Sequence, residues 1–93
     1  MMNDSEKYDY NSYMRDGAWY ESNAESYERS GDFMTAKSRY MDALFAYEKA
    51  YDIAYRADDY CKSDPYSKMN YCRSQITEMA YKYDDAVRRN LGR

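Results

Sequence analysis

Residues 20–44 read YESNAESYERSGDFMTAKSRYMDAL, and this stretch decides the fold. Its alanine and tyrosine residues recur at steps of three and four, which is the period of an α-helix. The run Ser30-Gly31-Asp32 interrupts that period. Glycine suits the left-handed residue that ends a helix, and aspartate is a preferred N-cap. Gly31 and Asp32 therefore predict a tight turn between two helices.

The helical period extends from this turn in both directions. The first predicted helix covers about residues 5–30, and the second covers about residues 33–60. The apolar stripe of the first consists of Tyr10, Tyr13, Met14, Gly17, Tyr20, Ala24 and Tyr27. The face of the second consists of Phe33, Ala36, Tyr40, Ala43, Leu44, Tyr47, Tyr51, Ala54 and Cys61, widened by Met34, Met41 and Phe45. A face this broad indicates contact with two neighbouring helices.

A second interruption, from Lys62 to Pro65, predicts the next turn. Asp64 is expected to cap the following helix, and Pro65 is expected to be its first residue, where the missing N–H costs nothing. The third helix is then expected over about residues 65–91, with Gly92 after its end. Short connections place consecutive helices side by side. We therefore predict an all-α fold, an up-down-up antiparallel three-helix bundle.

The composition points to an unusual core. Five residues are Leu, Ile or Val, whereas 14 are Tyr and 7 are Met, so tyrosine and methionine must fill the interior. A chain of 93 residues builds one small domain, and we expect residues 1–93 to form it. Residues 1–12, which precede the helix-weakening Gly17, are the part expected to fray.

Residues 20–44 resemble one unit of the tetratricopeptide family. The resemblance is carried by Tyr20, Ala24, Tyr27, Gly31, Phe33, Ala36, Tyr40, Ala43 and Leu44. Over about residues 18–60 the chain is also similar to a helical hairpin of the microtubule-interacting-and-trafficking domain. Proteins of both families bind peptides or helices and are not enzymes, so the resemblance implies a protein-binding module.

The charge balance bears on the class of partner. A net charge of −3 and an isoelectric point near 4.9 argue against a clustered basic surface, which nucleic acids and membrane surfaces both require. No run approaches the roughly 20 apolar residues of a membrane-spanning helix, and the N-terminus lacks the apolar segment of a signal peptide. We therefore expect a cytoplasmic protein that contacts neither nucleic acid nor membrane.

The side chains that usually carry catalysis are scarce. The chain has no histidine, and its two cysteines, Cys61 and Cys72, are too few for a zinc site and are expected to be reduced. The adjacent pairs Asp58-Asp59 and Asp84-Asp85 point in different directions on a helix and are expected to be solvated. We predict no enzyme, no cofactor and no metal.

Two features of the first helix stand out as a candidate binding site. Glu21, Glu25, Glu28 and Asp32 follow one another at steps of four, three and four, so they line one face. Trp19 lies off the apolar stripe. We predict that these five residues bind a protein partner with a basic surface. The other interpretation of the acidic residues is a solvated outer face. For Trp19 the expected position is the core, packed against the third helix, and a role as a binding anchor requires that it be exposed instead.

These observations leave more than one function open. The first hypothesis is a non-catalytic protein-binding module or adaptor that acts through an acidic, aromatic-rich surface. The alternative is a small acidic inhibitor of the kind that phages and mobile elements encode, which would block the nucleic-acid-binding groove of a host defence nuclease as anti-CRISPR proteins do. Self-association into a homodimer is a third alternative.

Overall fold

The computed structural model describes residues 1–91 and is built from three long helices. The elements are α1 (Asp4–Arg29), α2 (Phe33–Arg56), a short 3-10 helix (Tyr60–Lys62) and α3 (Ser63–Leu91). No strand occurs among the described residues. The predicted all-α, three-helix class is therefore confirmed. Gly92, predicted to follow the end of the third helix, lies outside the described residues.

The turn between α1 and α2 is the one that the sequence predicts. Gly31 has a φ of 84°, which is the left-handed conformation that glycine adopts without strain. The side chain of Asp32 accepts a hydrogen bond of 3.2 Å from the backbone N–H of Thr35, and so caps the first turn of α2. Both predicted roles are confirmed.

The second turn lies earlier in the chain than predicted. Helix α2 ends at Arg56 rather than near residue 60, because Asp58 takes a φ of 49° and redirects the chain. Aspartate is one of the few residues other than glycine that enter this region. Asp64 and Pro65 both lie in the first turn of α3, so the prediction of Asp64 as the residue that precedes the helix was wrong.

The N-terminal turns are held in place by local contacts. Helix α1 begins at Asp4, and the fraying of residues 1–12 stays a prediction. The side chain of Asn3 accepts from the backbone of Glu6 at 2.8 Å, and the Glu6 carboxylate accepts from the backbone of Asn3 at 2.9 Å. This reciprocal capping box satisfies two amides at the helix start. Met2 is buried, and the N-terminal amino group donates to the carbonyl of Ala57.

Helix α2 lies between the other two helices and contacts both. Near its end, Ala54 packs in one cluster with Tyr10 from the first half of α1. Near its start, Ala36 packs in another cluster with Ala24 from the last turns of α1. The start of α1 thus packs against the end of α2, and the end of α1 against the start of α2, as in an antiparallel helix pair. Alanine at the crossing positions lets the two backbones approach closely.

Helix α3 packs on the adjacent side of α2 in the same manner. Met69 and Cys72 lie with Tyr47, and Met79 lies with Tyr40 farther toward the start of α2. Helices α1 and α3 touch each other only slightly. The core is therefore two seams along α2, and the two largest side chains that are fully buried in it are Tyr40 and Tyr47.

The helices are staggered along their common axis. Helix α3 has 29 residues and is about 43 Å long at roughly 1.5 Å per residue, whereas the described chain extends over 58 Å. Lys82 of α3 meets Glu28, near the end of α1. The residues after Lys82 therefore project beyond the turn that joins α1 and α2. We call Tyr83–Leu91 the projecting end of α3.

Gly17 allows α1 to pack closely against the ring of Tyr47. A Cβ atom at position 17 would lie 2.5 to 2.8 Å from three ring atoms of Tyr47. Real Cβ atoms do not approach other atoms so closely, and Tyr47 has no room to retreat because it is fully buried. Close helix packing therefore explains this glycine.

Gly17→Ala should destabilise the protein, although alanine favours a helix by about 1 kcal/mol. Overpacking costs about 1–3 kcal/mol, which leaves a net loss of up to about 2 kcal/mol, seen as a melting temperature lower by up to about 10 °C. In a Tyr47→Leu background, which lacks the obstructing ring atoms, the same substitution should raise the melting temperature. An increase in the parent protein would contradict the described packing.

Candidate protein-binding site

Two of the four predicted acidic residues face α3 rather than solvent. The side chain of Glu21 is only 13% exposed, and its Oε2 atom lies 3.7 Å from Nζ of Lys68. Oε2 of Glu28 accepts a hydrogen bond of 2.7 Å from Nζ of Lys82. These two ion pairs bridge α1 and α3, which otherwise barely touch. Glu21 and Glu28 therefore connect helices within this chain.

The carboxylate of Glu21 is poorly solvated. Burial raises its pKa above the ordinary value, and the attraction of Lys68 offsets this only in part. Within the described part of the chain, its Oε1 atom has no hydrogen-bond partner, and neither has the buried hydroxyl of Tyr47. Burial, followed by the nearby negative charge of Glu21, raises the pKa of Tyr47. Glu21 thus lowers stability when it is ionised.

The other two predicted acidic residues have different surroundings. Glu25 is half-buried and lines a shallow groove with Tyr71 of α3. Asp32 is exposed at the turn, where it caps α2. The predicted acidic row is therefore not one continuous exposed ridge. Its role in partner binding stays a prediction.

Trp19 lies on the surface, so the expected core position against the third helix was wrong. The side chain is 62% exposed. It meets the ring of Tyr20 edge to face, with the ring centres 5.2 Å apart. The apolar face of α1 points to α2 through Gly17 and Ala24, and Trp19 follows Gly17 by two residues, about 200° around the helix axis. That position directs it away from both other helices.

Helix α2 also exposes apolar side chains. Met34, Met41 and Phe45 were predicted to widen its buried face, and this was wrong because all three are exposed. Phe45 is 62% exposed, with the ammonium group of Lys49 5.0 Å from its ring centre. The two packed sides of α2 are already occupied by α1 and α3, so these residues lie on its remaining side.

A shallow groove of about 190 Å³ separates Phe45 from α1. It is lined by Tyr13, Asp16, Tyr20, Asp42, Phe45 and Ala46. Tyr20 connects this groove to Trp19 through their edge-to-face contact. We define the aromatic face as Tyr13, Trp19 and Tyr20 of α1 together with Met41 and Phe45 of α2. Of the predicted site residues, it includes only Trp19.

Acidic side chains border the aromatic face. Asp42 forms an ion pair of 3.1 Å with Arg39 on the preceding turn. Asp16 and Glu48 are exposed, and no cation among residues 1–91 lies within ion-pair distance of either. The face therefore combines large apolar side chains with two carboxylates that remain available to a partner.

The thiols are unsuited to nucleophilic chemistry. Both cysteines are free. Burial raises the pKa of Cys72 to about 12, so its thiol stays protonated near neutral pH. Burial also raises the pKa of Cys61, with a further contribution from Asp59. Within residues 1–91, no group of three or more carboxylate or cysteine side chains is arranged to hold a metal ion.

A wider notch lies where α3 projects past the turn between α1 and α2. Its volume is about 570 Å³, and its lining includes Phe33 and Ala86. The charged residues Glu28, Lys82 and Arg89 line it as well. Because the notch is broadly open to solvent, it does not enclose a small molecule in the way that ligand pockets do.

Within residues 1–91, none of the helices is long and apolar enough to cross a membrane.

The sequence matches no protein-family model. No significant similarity connects it to a curated protein or to a solved structure. The resemblance to tetratricopeptide and microtubule-interacting-and-trafficking hairpins therefore stays a prediction.

The raised pKa of Glu21 generates a prediction about pH. An acid whose folded-state pKa is raised contributes stability below its unfolded pKa, and that contribution is lost as the pH rises through the folded-state value. Glu21→Gln does not titrate, so it should stabilise the protein at neutral pH, with a smaller gain at about pH 4. Urea unfolding of both proteins at the two pH values measures this difference.

Glu28→Gln is the matched control for that experiment. The substitution replaces the charged carboxylate that accepts the 2.7 Å hydrogen bond from Lys82 with a neutral amide. It should therefore lower the free energy of unfolding at neutral pH. A Glu21→Gln variant that is less stable than the parent at neutral pH, and relatively more stable in acid, would contradict the described environment of Glu21.

Proposed function

We propose that this protein is a non-catalytic, cytoplasmic protein-binding module, and that its partner docks on the aromatic face. The observation that carries the proposal is the exposure of Phe45, which lines the groove, together with that of Trp19, whose ring contacts Tyr20 in the lining of the same groove. The chain is so poor in aliphatic residues that its core is built from tyrosine and alanine. Leaving its one tryptophan and one of its two phenylalanines exposed is unfavourable unless a partner covers them.

Aromatic side chains in this arrangement supply binding energy efficiently. Tryptophan and tyrosine are enriched among the few interface residues that dominate affinity, because they bury a large area and lose little rotamer freedom. The groove beside Phe45 would receive an apolar side chain of the partner. The rings of Tyr13 and Tyr20 would flank it, and their hydroxyls can stay at the wet edge of the interface.

The charges suggest the chemistry of the partner surface. Asp16 and Glu48 border the aromatic face and form no ion pair with any residue in 1–91, and the net charge of the chain is −3. A partner that offers an apolar anchor surrounded by lysine or arginine would complement both features. The proposed binding surface is thus acidic and rich in aromatic residues, as in the first hypothesis, with Trp19 and Phe45 as its main contact residues.

The alternative of an acidic inhibitor draws less support. A protein that occupies a nucleic-acid groove needs a continuous row of carboxylates in place of phosphates. Glu21 and Glu28 are engaged with Lys68 and Lys82, which neutralise two of the four charges in the predicted row. The aromatic face also has no evident role in such a mechanism.

The proposal is tested with Trp19→Ala and Phe45→Ala as baits for affinity capture from lysate of the organism that encodes the protein. Each side chain is mostly exposed, so the melting temperature should change little. Each substitution should weaken binding of the captured partner by about 30-fold, which corresponds to about 2 kcal/mol for an interface anchor. Purified partner and isothermal titration would give the affinities.

Tyr81→Ala is the matched control, because Tyr81 is an exposed aromatic residue of α3 outside the aromatic face. It should retain the partner with unchanged affinity. If the Trp19 and Phe45 variants capture the same proteins as the parent and the control, with equal affinity, the aromatic face is not the binding site and the proposal fails.

A further inference from the structure

The groove between α1 and α2 brings aromatic and acidic side chains together in one small volume. Tyr13 and Tyr20 line it from α1, and Phe45 lines it from α2. The same lining contains two carboxylates, Asp16 from α1 and Asp42 from α2. Among the described residues that line the groove, three are therefore aromatic, two are acidic and none is basic.

The size of the groove limits what it can receive. Its volume is about 190 Å³. Sites for small molecules and cofactors in proteins are usually larger, with volumes of about 300 Å³ or more. The groove therefore suits a single side chain of a partner better than a free ligand.

The charges in the groove favour a cation. Asp42 already forms its ion pair of 3.1 Å with Arg39. Asp16 is exposed, and no lysine or arginine within residues 1–91 lies within ion-pair distance of it. A positively charged group that enters the groove gains the attraction of this carboxylate, whereas a negatively charged group is repelled by both acids.

The aromatic rings favour the same kind of group. The face of an aromatic ring carries partial negative charge and attracts cations that come within about 6 Å of its centre. The chain itself shows this attraction at Phe45, where the ammonium group of Lys49 lies 5.0 Å from the ring centre. Tyr13 and Tyr20 add two further rings to the groove. A cationic side chain placed there meets aromatic rings as well as a carboxylate.

We infer that this groove is an arginine-binding site, into which the protein partner inserts one arginine side chain. The methylene stem of the arginine packs against the rings, and its guanidinium group lies beside Asp16. Arginine suits the groove better than lysine, because a guanidinium group is planar, stacks on aromatic rings and donates two hydrogen bonds to one carboxylate. The inference rests on the proposed function, and it specifies the side chain whose apolar part enters the groove.

Nuclear magnetic resonance titration of the intact chain tests the inference, with a blocked Gly-Arg-Gly peptide as the probe. The matched control peptide carries citrulline, an uncharged analogue of arginine. The arginine peptide should shift the ring resonances of Tyr13, Tyr20 and Phe45, with a dissociation constant of about 1–10 mM. The citrulline peptide should bind at least about fivefold more weakly, because it loses the attraction of the rings and the carboxylate.

Substitutions locate the bound peptide. Asp16→Asn and Phe45→Leu should each weaken binding of the arginine peptide about fivefold. Both positions are exposed, so the melting temperature should change little. Glu48→Gln removes a carboxylate outside this groove, and Trp19→Ala removes an aromatic ring outside its lining. These two control variants should bind the arginine peptide as the parent does.

Four results would overturn the inference. They are the absence of binding at tens of millimolar peptide, equal affinity for the arginine and citrulline peptides, unchanged affinity in the Asp16→Asn variant, and tighter binding of a trimethyllysine peptide than of the arginine peptide. Failure of the proposed function is observed separately, since it appears as undiminished capture of the partner by the Trp19→Ala and Phe45→Ala variants.

Discussion

The ring of Tyr47 fills the space that a side chain at position 17 of α1 would otherwise occupy, and most of the architecture depends on this contact. It brings α1 close to the middle of α2, and the same tyrosine packs with Cys72 of α3. Fully buried alanines such as Ala36 and Ala54 line the rest of the contact between α1 and α2. A chain with little leucine or valine thereby builds two continuous seams from small residues and large rings.

This way of building a core determines what remains on the surface. Helix α2 uses two of its sides for α1 and α3, and its third side carries Met41 and Phe45 to solvent. Trp19 stands on the outer side of α1, next to Tyr20. The contact between Gly17 and Tyr47 holds α1 against α2, so the rings of the aromatic face are presented by two closely packed helices. Rigid aromatic residues lose little entropy on binding, which suits them to recognise a partner.

Local sequence signals predict the fold well where the physical cause is local. The helical period and the residues Gly31 and Asp32 are sufficient to place the first turn. The end of α2 was not predicted, because Asp58 adopts a left-handed conformation. Aspartate tolerates this conformation, but its presence in a sequence does not predict it. The site was harder to predict, since Glu21 and Glu28 find their lysines on a helix more than 40 residues later in the chain. No periodicity within α1 contains that information, and the side of α2 left for Phe45 likewise depends on where α3 packs.

The contact between Gly17 and Tyr47 can be observed directly by nuclear magnetic resonance of the intact chain. The packing described here predicts nuclear Overhauser effects between the α protons of Gly17 and the ring protons of Tyr47. It also predicts that the ring shifts the α-proton resonances of Gly17 away from their usual position. Random-coil shifts at Gly17, with no Overhauser effect to Tyr47, would contradict the account of how α1 and α2 are held together.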